Sequence, residues 1–510
     1  MQRQLVVGTG FTLGATLAMG GAAQAACNCT VNSLADPSDP GHTTLRDAIT
    51  SANLNPGSTI TFASGLSGTI TLGGTELPTI IVPTTISGPG AGQITVSGNN
   101  ASGIFYVEPT NSGDPVSISG LTISGGNSGF GGGISATYAA LTVSDSVISG
   151  NNSSSEGGGI AVDGGSLTVI GSTVSGNAGD RGSGIYTENG SGTISTVRSS
   201  TLSGNSGADY GGGVYFDYSS QATLDNSTVY GNSAGTGGGV YHYGAATANP
   251  GLTVTGSTIS HNDASKRGGG IASNDGADYL SNPILRNTIV FGNTSPLGPD
   301  LSSYTQPIRA GFSVIGSVDP ATPITQTGPD IFGQNPQLGP LQNNGGSTRT
   351  QLPADTSPVI NKGSAFGLTS DQRGGPRPLG FPGISNAAGG DGSDIGALEV
   401  ESNAFKAKLK GKKLIVSVFA PGTVKLSDSK APLSALTSKK KKKRKLFLKS
   451  SSASGNPPKI TVPLRLTKLA KKKLRQRGKV GVKARVTFTP KFASANTKTL
   501  KLKVKRKKKK

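Results

Sequence analysis

Between residues 131 and 271 the apolar and polar positions of the chain repeat. A glycine-rich triplet followed by a β-branched residue returns six times: Gly131 to Ile134, Gly157 to Ile160, Gly182 to Ile185, Gly211 to Val214, Gly237 to Val240 and Gly268 to Ile271. The intervals are 26, 25, 29, 26 and 31 residues. A second signature alternates with it, a short apolar run closed by a turn that ends in asparagine. It is seen in Ser146-Val147-Ile148-Ser149-Gly150-Asn151 and again at 172–177, 200–205, 227–232, 257–262 and 287–293. The runs are short, rich in Val, Ile and Thr, and bounded by Gly, Asn and Ser, with no helical period, so they predict strands. Self-similarity of this length marks an architecture in which each unit buries its apolar face only by stacking on its neighbours. A repeat of about 25 residues fits one coil of three short strands and three turns. The pattern predicts an all-β fold, a right-handed parallel β-helix.

The flanks read differently. Thr44 and Asp47 have the spacing of a capping box, and Leu45, Ala48, Ile49 and Ala52 fall on one stripe, so a short amphipathic helix is expected to cap the open end of the stack. Irregular early coils follow at 69–72, 80–82, 94–96, 104–107 and 116–118. Beyond residue 400 the alternation changes to lysine against aliphatic. Segments 414–419, 459–462, 480–488 and 500–504 predict strands of a small antiparallel sandwich, with one short helical turn in 466–474.

These blocks carry a resemblance. The repeats resemble those of right-handed β-helix proteins of the pectin-lyase-like superfamily, in particular secreted surface proteins with polymorphic outer-membrane-protein-like repeats. Thr44-Leu45-Arg46-Asp47-Ala48-Ile49, Asn53, Pro56-Gly57 and Ile60-Thr61-Phe62 are similar to the N-terminal segment of that group, with Thr44 in place of serine. Asn344-Gly345-Gly346-Ser347-Thr348, Asp371-Gln372-Arg373-Gly374, Arg377-Pro378 and Asp394-Ile395-Gly396-Ala397-Leu398-Glu399 are similar to its C-terminal block. The resemblance implies that this block closes the β-helix and precedes an anchor at a cell surface. The basic segment resembles sandwich modules appended to secreted Gram-positive proteins. The expected organisation is a signal peptide at 1–25, a cap segment at 26–62, the β-helix at 63–320, the closing block at 321–400 and the basic sandwich and tail at 401–510.

Charge sharpens this picture. Residues 401–510 hold 36 Lys and Arg against two acids, Glu401 and Asp428, a balance of +34. The first 400 residues hold 12 basic and 25 acidic side chains, a balance of −13. An acidic body thus carries a cationic module, whose expected partner is an anionic polymer of the cell envelope, with extracellular DNA as an alternative. Lys439, Lys440, Lys441, Lys442, Lys443, Arg444 and Lys445 are its densest run. Arg3, the apolar stretch from Leu5 to Met19 and Ala23-Gln24-Ala25 read as a secretory signal, and no other apolar run is long enough to span a bilayer. Cys27 and Cys29 are one residue apart; a mutual disulfide is expected to be strained, and intermolecular pairing and free thiols stay open.

Three sets of residues are candidates for chemistry or structure. Counted from the triplets, one column is Ser135, Ala161, Tyr186, Tyr215, Tyr241 and Ala272, and two positions on come Thr137, Asp163, Glu188, Asp217, Tyr243 and Asn274. Both are expected to face outward, so that Tyr186, Tyr215 and Tyr241 with Asp163, Glu188 and Asp217 form a patch for glycan or calcium. Asn127, Asn151, Asn177, Asn205, Asn232, Asn262 and Asn293 are expected to form an internal ladder. No nucleophile, metal-ligand spacing or paired acid motif stands out. Asp371, Arg373, Arg377 and Asp394 suit turn-fixing salt bridges better than catalysis, and His242 is expected to point inward. The sequence reads as a non-enzymatic stalk, adhesin or carbohydrate-binding surface without a cofactor, and the alternative is a polysaccharide lyase or glycoside hydrolase using the same patch.

Overall fold

The computed structural model describes residues 27–188, 193–219, 221–244, 251–274, 283–304, 306–431 and 446–506. The expected signal peptide lies outside them.

The chain is a right-handed parallel β-helix followed by an antiparallel sandwich. Three long sheets run the length of the helix, all in parallel register. The first has twelve strands, from Asn28–Val31 to Ile324–Gln326; the second has eleven, from Gly68–Thr71 to Ile331–Phe332; the third has eight, from Phe105–Val107 to Leu301–Ser303. One coil visits the first sheet, the second, a connector and then the third, as in Ala140–Ser144, Val147–Ser149, Asn152–Glu156 and Ile160–Asp163. The period of two sends every second side chain inward. Columns such as Val143, Val169, Val197, Leu224, Val254 and Ile148, Val174, Leu202, Val229, Ile259 therefore stack into one continuous buried core.

Helix Leu45–Asn53 covers the N-terminal end as its pattern predicts. Thr44 Oγ1 accepts from Asp47 N, Asp47 Oδ2 accepts from Thr44 N at 3.1 Å, and Leu45, Ala48, Ile49 and Ala52 are buried. The first rung, Asn28–Val31, pairs with Ser58–Phe62. Cys27 and Cys29 are joined to each other by a disulfide, with Cα atoms 5.5 Å apart.

The asparagine ladder exists and is buried, with one correction. Asn177 Nδ2 donates to Asn205 Oδ1 (2.9 Å), Asn205 Nδ2 to Asn232 Oδ1 (2.8 Å), and the chain runs unbroken from Asn151 to Asn293. Each amide also donates to a carbonyl of the coil before, as Asn205 does to Val174 O at 3.1 Å. Asn127 is not a member. It is exposed and pairs with Asn152, one position on; the ladder place in that coil belongs to Gly126, whose N–H donates to Asn151 Oδ1. At the other end the ladder stops on a carboxylate. Asp300 Oδ1 accepts from both Asn293 N and Nδ2, and Oδ2 takes Ser317 N at 2.7 Å, so a residue with acceptors only suffices where there is no next rung.

The glycine triplets belong to the same device. A Cβ on their third member would sit 3.0 Å from Asn151 Nδ2 at Gly133, 2.9 Å from Asn205 Nδ2 at Gly184 and 2.8 Å from Asn293 Nδ2 at Gly270. The third glycine leaves the room that the ladder amide occupies. That is why the two signatures recur together.

Residues 335–400 do not cap the C-terminal end of the coils. They lie along the flank, over the outward column of the second sheet. Gln372 bonds Thr201 and Thr228, Ala397 N donates to Thr258 Oγ1, and Val359, Ile360 and Ile395 cover Ile289 and Val314. The basic module then packs on this block through Phe492, whose ring lies 4.6 Å from the Arg373 guanidinium and whose N–H donates to Glu401. The module's two main sheets, of three and four antiparallel strands, enclose one core built on Val416, Leu426, Val486 and Phe488. Its helix, Lys468–Arg477, is longer than the single turn expected, with Thr467 as N-cap and Gly478 in a left-handed C-cap.

Candidate functional site

The tyrosine column points away from the solenoid core but not into solvent. Register places Tyr186, Tyr215 and Tyr241 side by side on adjacent strands, with Ala161 before and Ala272 after them. Tyr186 is 4 %, Tyr215 6 % and Tyr241 3 % exposed. The connectors fold over this face and bring Phe130 and Tyr210 onto the rings. Tyr186 and Tyr215 meet edge-on at 5.4 Å, Tyr215 and Tyr241 at 4.9 Å, and Tyr210 lies 4.6 Å from Tyr241. The expected open platform for sugar rings is therefore a second, aromatic core: the ring faces are occupied by one another.

The carboxylates beside it come together in part. Glu188 and Asp217 are register partners, and the Tyr186 hydroxyl reaches Glu188 Oε2 at 3.2 Å and Asp217 Oδ2 at 3.0 Å. Burial raises the pKa of Glu188, and the neighbouring Asp217 charge adds to it; burial also raises that of Asp217, against hydrogen bonds from Tyr215 and Tyr186. Burial and the adjacent carboxylates raise both tyrosine hydroxyls, which stay protonated and act as donors. Asp163 is the register partner of Glu188 on the preceding strand, and its charge adds to the rise at Glu188. It lines a hollow of about 360 Å³ with Glu76, Tyr106, Phe130, Ser135 and Thr137, where the column shrinks to Ser135 and Ala161. A matching hollow of about 370 Å³ opens at the other end, beside Ala272, between Tyr210, Tyr241, Arg267 and Tyr304. Sequence reasoning missed both, although the change from Tyr to Ser or Ala in the column was the signal. Among the described residues no three His, Cys, Asp or Glu side chains are grouped to hold a metal ion.

The charged cluster of the flank block is structural. Asp371 accepts from Arg373 Nη2 at 2.7 Å, Arg377 Nε lies 2.9 Å from Glu399 Oε1, and Asp394 accepts from Asn361 N and Val400 N. Asp371, Arg373, Arg377, Asp394 and Glu399 are all buried. Burial pushes Asp394 up to about 7 and raises Glu399 with it. His242 points inward with Nδ1 3.3 Å from Ser273 Oγ, and burial lowers its pKa to about 4.

In the basic module Lys439, Lys440, Lys441, Lys442, Lys443, Arg444 and Lys445 lie outside the described residues. The described cations are arranged all the same. Strands Lys479–Pro490 and Asn496–Lys505 turn Lys479, Lys483, Lys501, Lys503 and Lys505 outward, and Val480, Val482, Leu502 and Val504 inward. The module's two acids are buried and engaged: Asp428 Oδ2 accepts from Phe447 N, and Glu401 Oε2 from Phe492 N. The lysine face thus has no counter-charge within its own module.

Stacked parallel coils, an inward asparagine ladder and a capped first rung define a right-handed parallel β-helix protein. Residues 86–249, which include the whole tyrosine column, match the family model of a right-handed beta helix region. No curated protein and no solved structure matches the chain. No helix among the described residues is long and apolar enough to cross a membrane.

Proposed function

We propose that this is a secreted cell-surface protein in which the β-helix is a stalk or adhesion surface, held by its cationic module to anionic polymers of the cell envelope. The observation that carries the reading is the uncompensated lysine face. A surface of one sign beyond what solubility requires concentrates polyanions and pairs with their phosphates or carboxylates. Carbohydrate contact on the β-helix, if the stalk makes any, belongs to the two hollows that end the tyrosine column, where aromatic edges, hydroxyls and charged groups are still reachable. Retention of the full chain on immobilised poly(glycerol phosphate) across a salt series tests the anchoring. Retention that falls steeply with salt supports it, and failure to bind at low salt ends it.

A second reading, a polysaccharide lyase or hydrolase, is favoured by one observation: Glu188 and Asp217 sit on adjacent strands, and their raised pKa is what a general acid requires. Product release from a polysaccharide panel, abolished by Asp217→Asn in a protein that still folds, would establish it.

A further inference from the structure

The exposed cations of the basic module are not spread evenly. Helix Lys468–Arg477 and the neighbouring strand ends enclose a groove of about 740 Å³. Its rim carries Lys412, Lys449, Arg465, Lys471, Arg475, Lys505 and Arg506, all exposed, and its floor is Leu464, Leu466, Leu474 and Val504. The rim is drawn from four separate stretches of chain that the fold brings together. Among the described residues none of these seven forms an ion pair. Like charges gathered around one cleft repel one another and weaken the compact state unless an anion lies between them.

We propose that this groove is a cleft for a phosphodiester-linked polyol strand, with phosphates on the cationic rim and the polyol carbons on the aliphatic floor. The proposal rests on the polyanion reading above and names its site and its ligand class. Two features select the occupant. Among the described residues the lining contains no aromatic side chain, whereas proteins that bind single-stranded nucleic acid rely on aromatic platforms for the bases. Phe447 is not part of the lining; its ring lies 5.0 Å from Lys473 Nζ. In the floor Leu464 and Val504 are themselves buried, so the apolar strip is narrow. It suits the CH groups of a polyol and is too thin for acyl chains.

The test is titration of the full chain with poly(glycerol phosphate), and with a single-stranded oligodeoxynucleotide of equal charge, from about 50 to 300 mM salt. The groove variant is Lys412→Glu/Arg475→Glu/Lys505→Glu. The control, Lys406→Glu/Lys408→Glu/Lys459→Glu, makes the same charge change on the exposed side of the three-stranded sheet, outside the groove lining. The expected result is a loss of about 30-fold for the groove variant, with the salt slope reduced by about 3, and less than about 3-fold for the control. Neutralising the same three groove residues with Gln gives the same ranking if the reversals disturb folding, which melting curves check. Equal losses in both variants overturn the cleft while leaving the polyanion reading standing. Absence of any binding by the wild-type chain overturns both. Tighter, groove-dependent binding of the oligonucleotide overturns the polyol occupant.

Discussion

Asn205 sits in the middle of the ladder, and replacing it by alanine isolates the ladder's contribution. Its Oδ1 accepts from Asn177 N at 3.0 Å and from Asn177 Nδ2 at 2.9 Å; its Nδ2 donates to Val174 O at 3.1 Å and to Asn232 Oδ1 at 2.8 Å. Alanine removes all four bonds in a region closed to water. Asn177 keeps its bond to Ile148 O, and Asn232 Oδ1 still accepts from the residue 205 backbone, so the uncompensated groups are the Asn177 N–H and the donor lost to Val174 O. At about 1–3 kcal/mol for each buried polar group left without its partner, Asn205→Ala should cost about 2–6 kcal/mol. Asn205→Asp keeps the acceptors and loses the donors, and at neutral pH it also buries a charge. It should therefore be at least as damaging there and less so in acid, where a protonated carboxyl regains one donor. Asp300 tolerates that role only because its second oxygen has Ser317 N to accept from. Hydrogen exchange at the Asn177 amide reads the local opening energy, which a whole-chain unfolding curve of a repeat array blurs. Reasoning from the ladder fails if Asn205→Ala lies within about 0.5 kcal/mol of wild type and the Asn177 amide stays protected.

Three other outcomes are expected. Gly184→Ala places a Cβ 2.4 Å from Gly213 O and should prevent folding, whereas Gly231→Ala, at φ +62° with open space around it, should cost only about 1–2 kcal/mol; chemical denaturation ranks the two. Tyr215→Ala empties the aromatic layer between connector and sheet and should cost about 3–5 kcal/mol by the same assay while leaving polyanion retention unchanged; retention lost in a variant that still folds would return the column to the binding surface. Finally, burial raises Asp394 to about 7, with Glu399 raised beside it, whereas the unfolded chain releases the Asp394 proton near pH 4, so the folded state binds more protons between about 4 and 7. Their contribution to stability is present below that window and is lost as pH rises through it. Denaturation midpoints should fall from pH 4 to 7; a steady rise across this range would contradict the burial assigned to the pair.

The sequence made the fold legible because a parallel β-helix writes one coil many times, and stacking turns each recurrent position into a column. Glycine triplet, β-branched residue and turn asparagine each have a single structural cause, so the periodicity alone yields strands, core and ladder. Register is what it cannot fix to one residue. Asn127 and Gly126 are adjacent, and only the pairing of Asn127 with Asn152 shows that the glycine holds the ladder place. The same limit explains the flank block. Its Gln372 and Ala397 reach Thr201, Thr228 and Thr258 across a long stretch of sequence, and nothing local says that a block following the last coil turns back along the side.

The tyrosines were misread for a different reason, and it bears on function. Alternation in a strand separates inside from outside relative to the solenoid wall; it does not separate buried from exposed. Here the connector that carries Phe130 and Tyr210 passes over the outer face and makes a second interior. A run of large aromatic residues at consecutive coils is what such a cover requires, since small residues would leave a void. Where the column does turn small, at Ser135 and Ala161 and again at Ala272, hollows open and Asp163 and Arg267 line them. The reachable chemistry of the β-helix therefore begins where the tyrosines end, at the two hollows that Asp163 and Arg267 line.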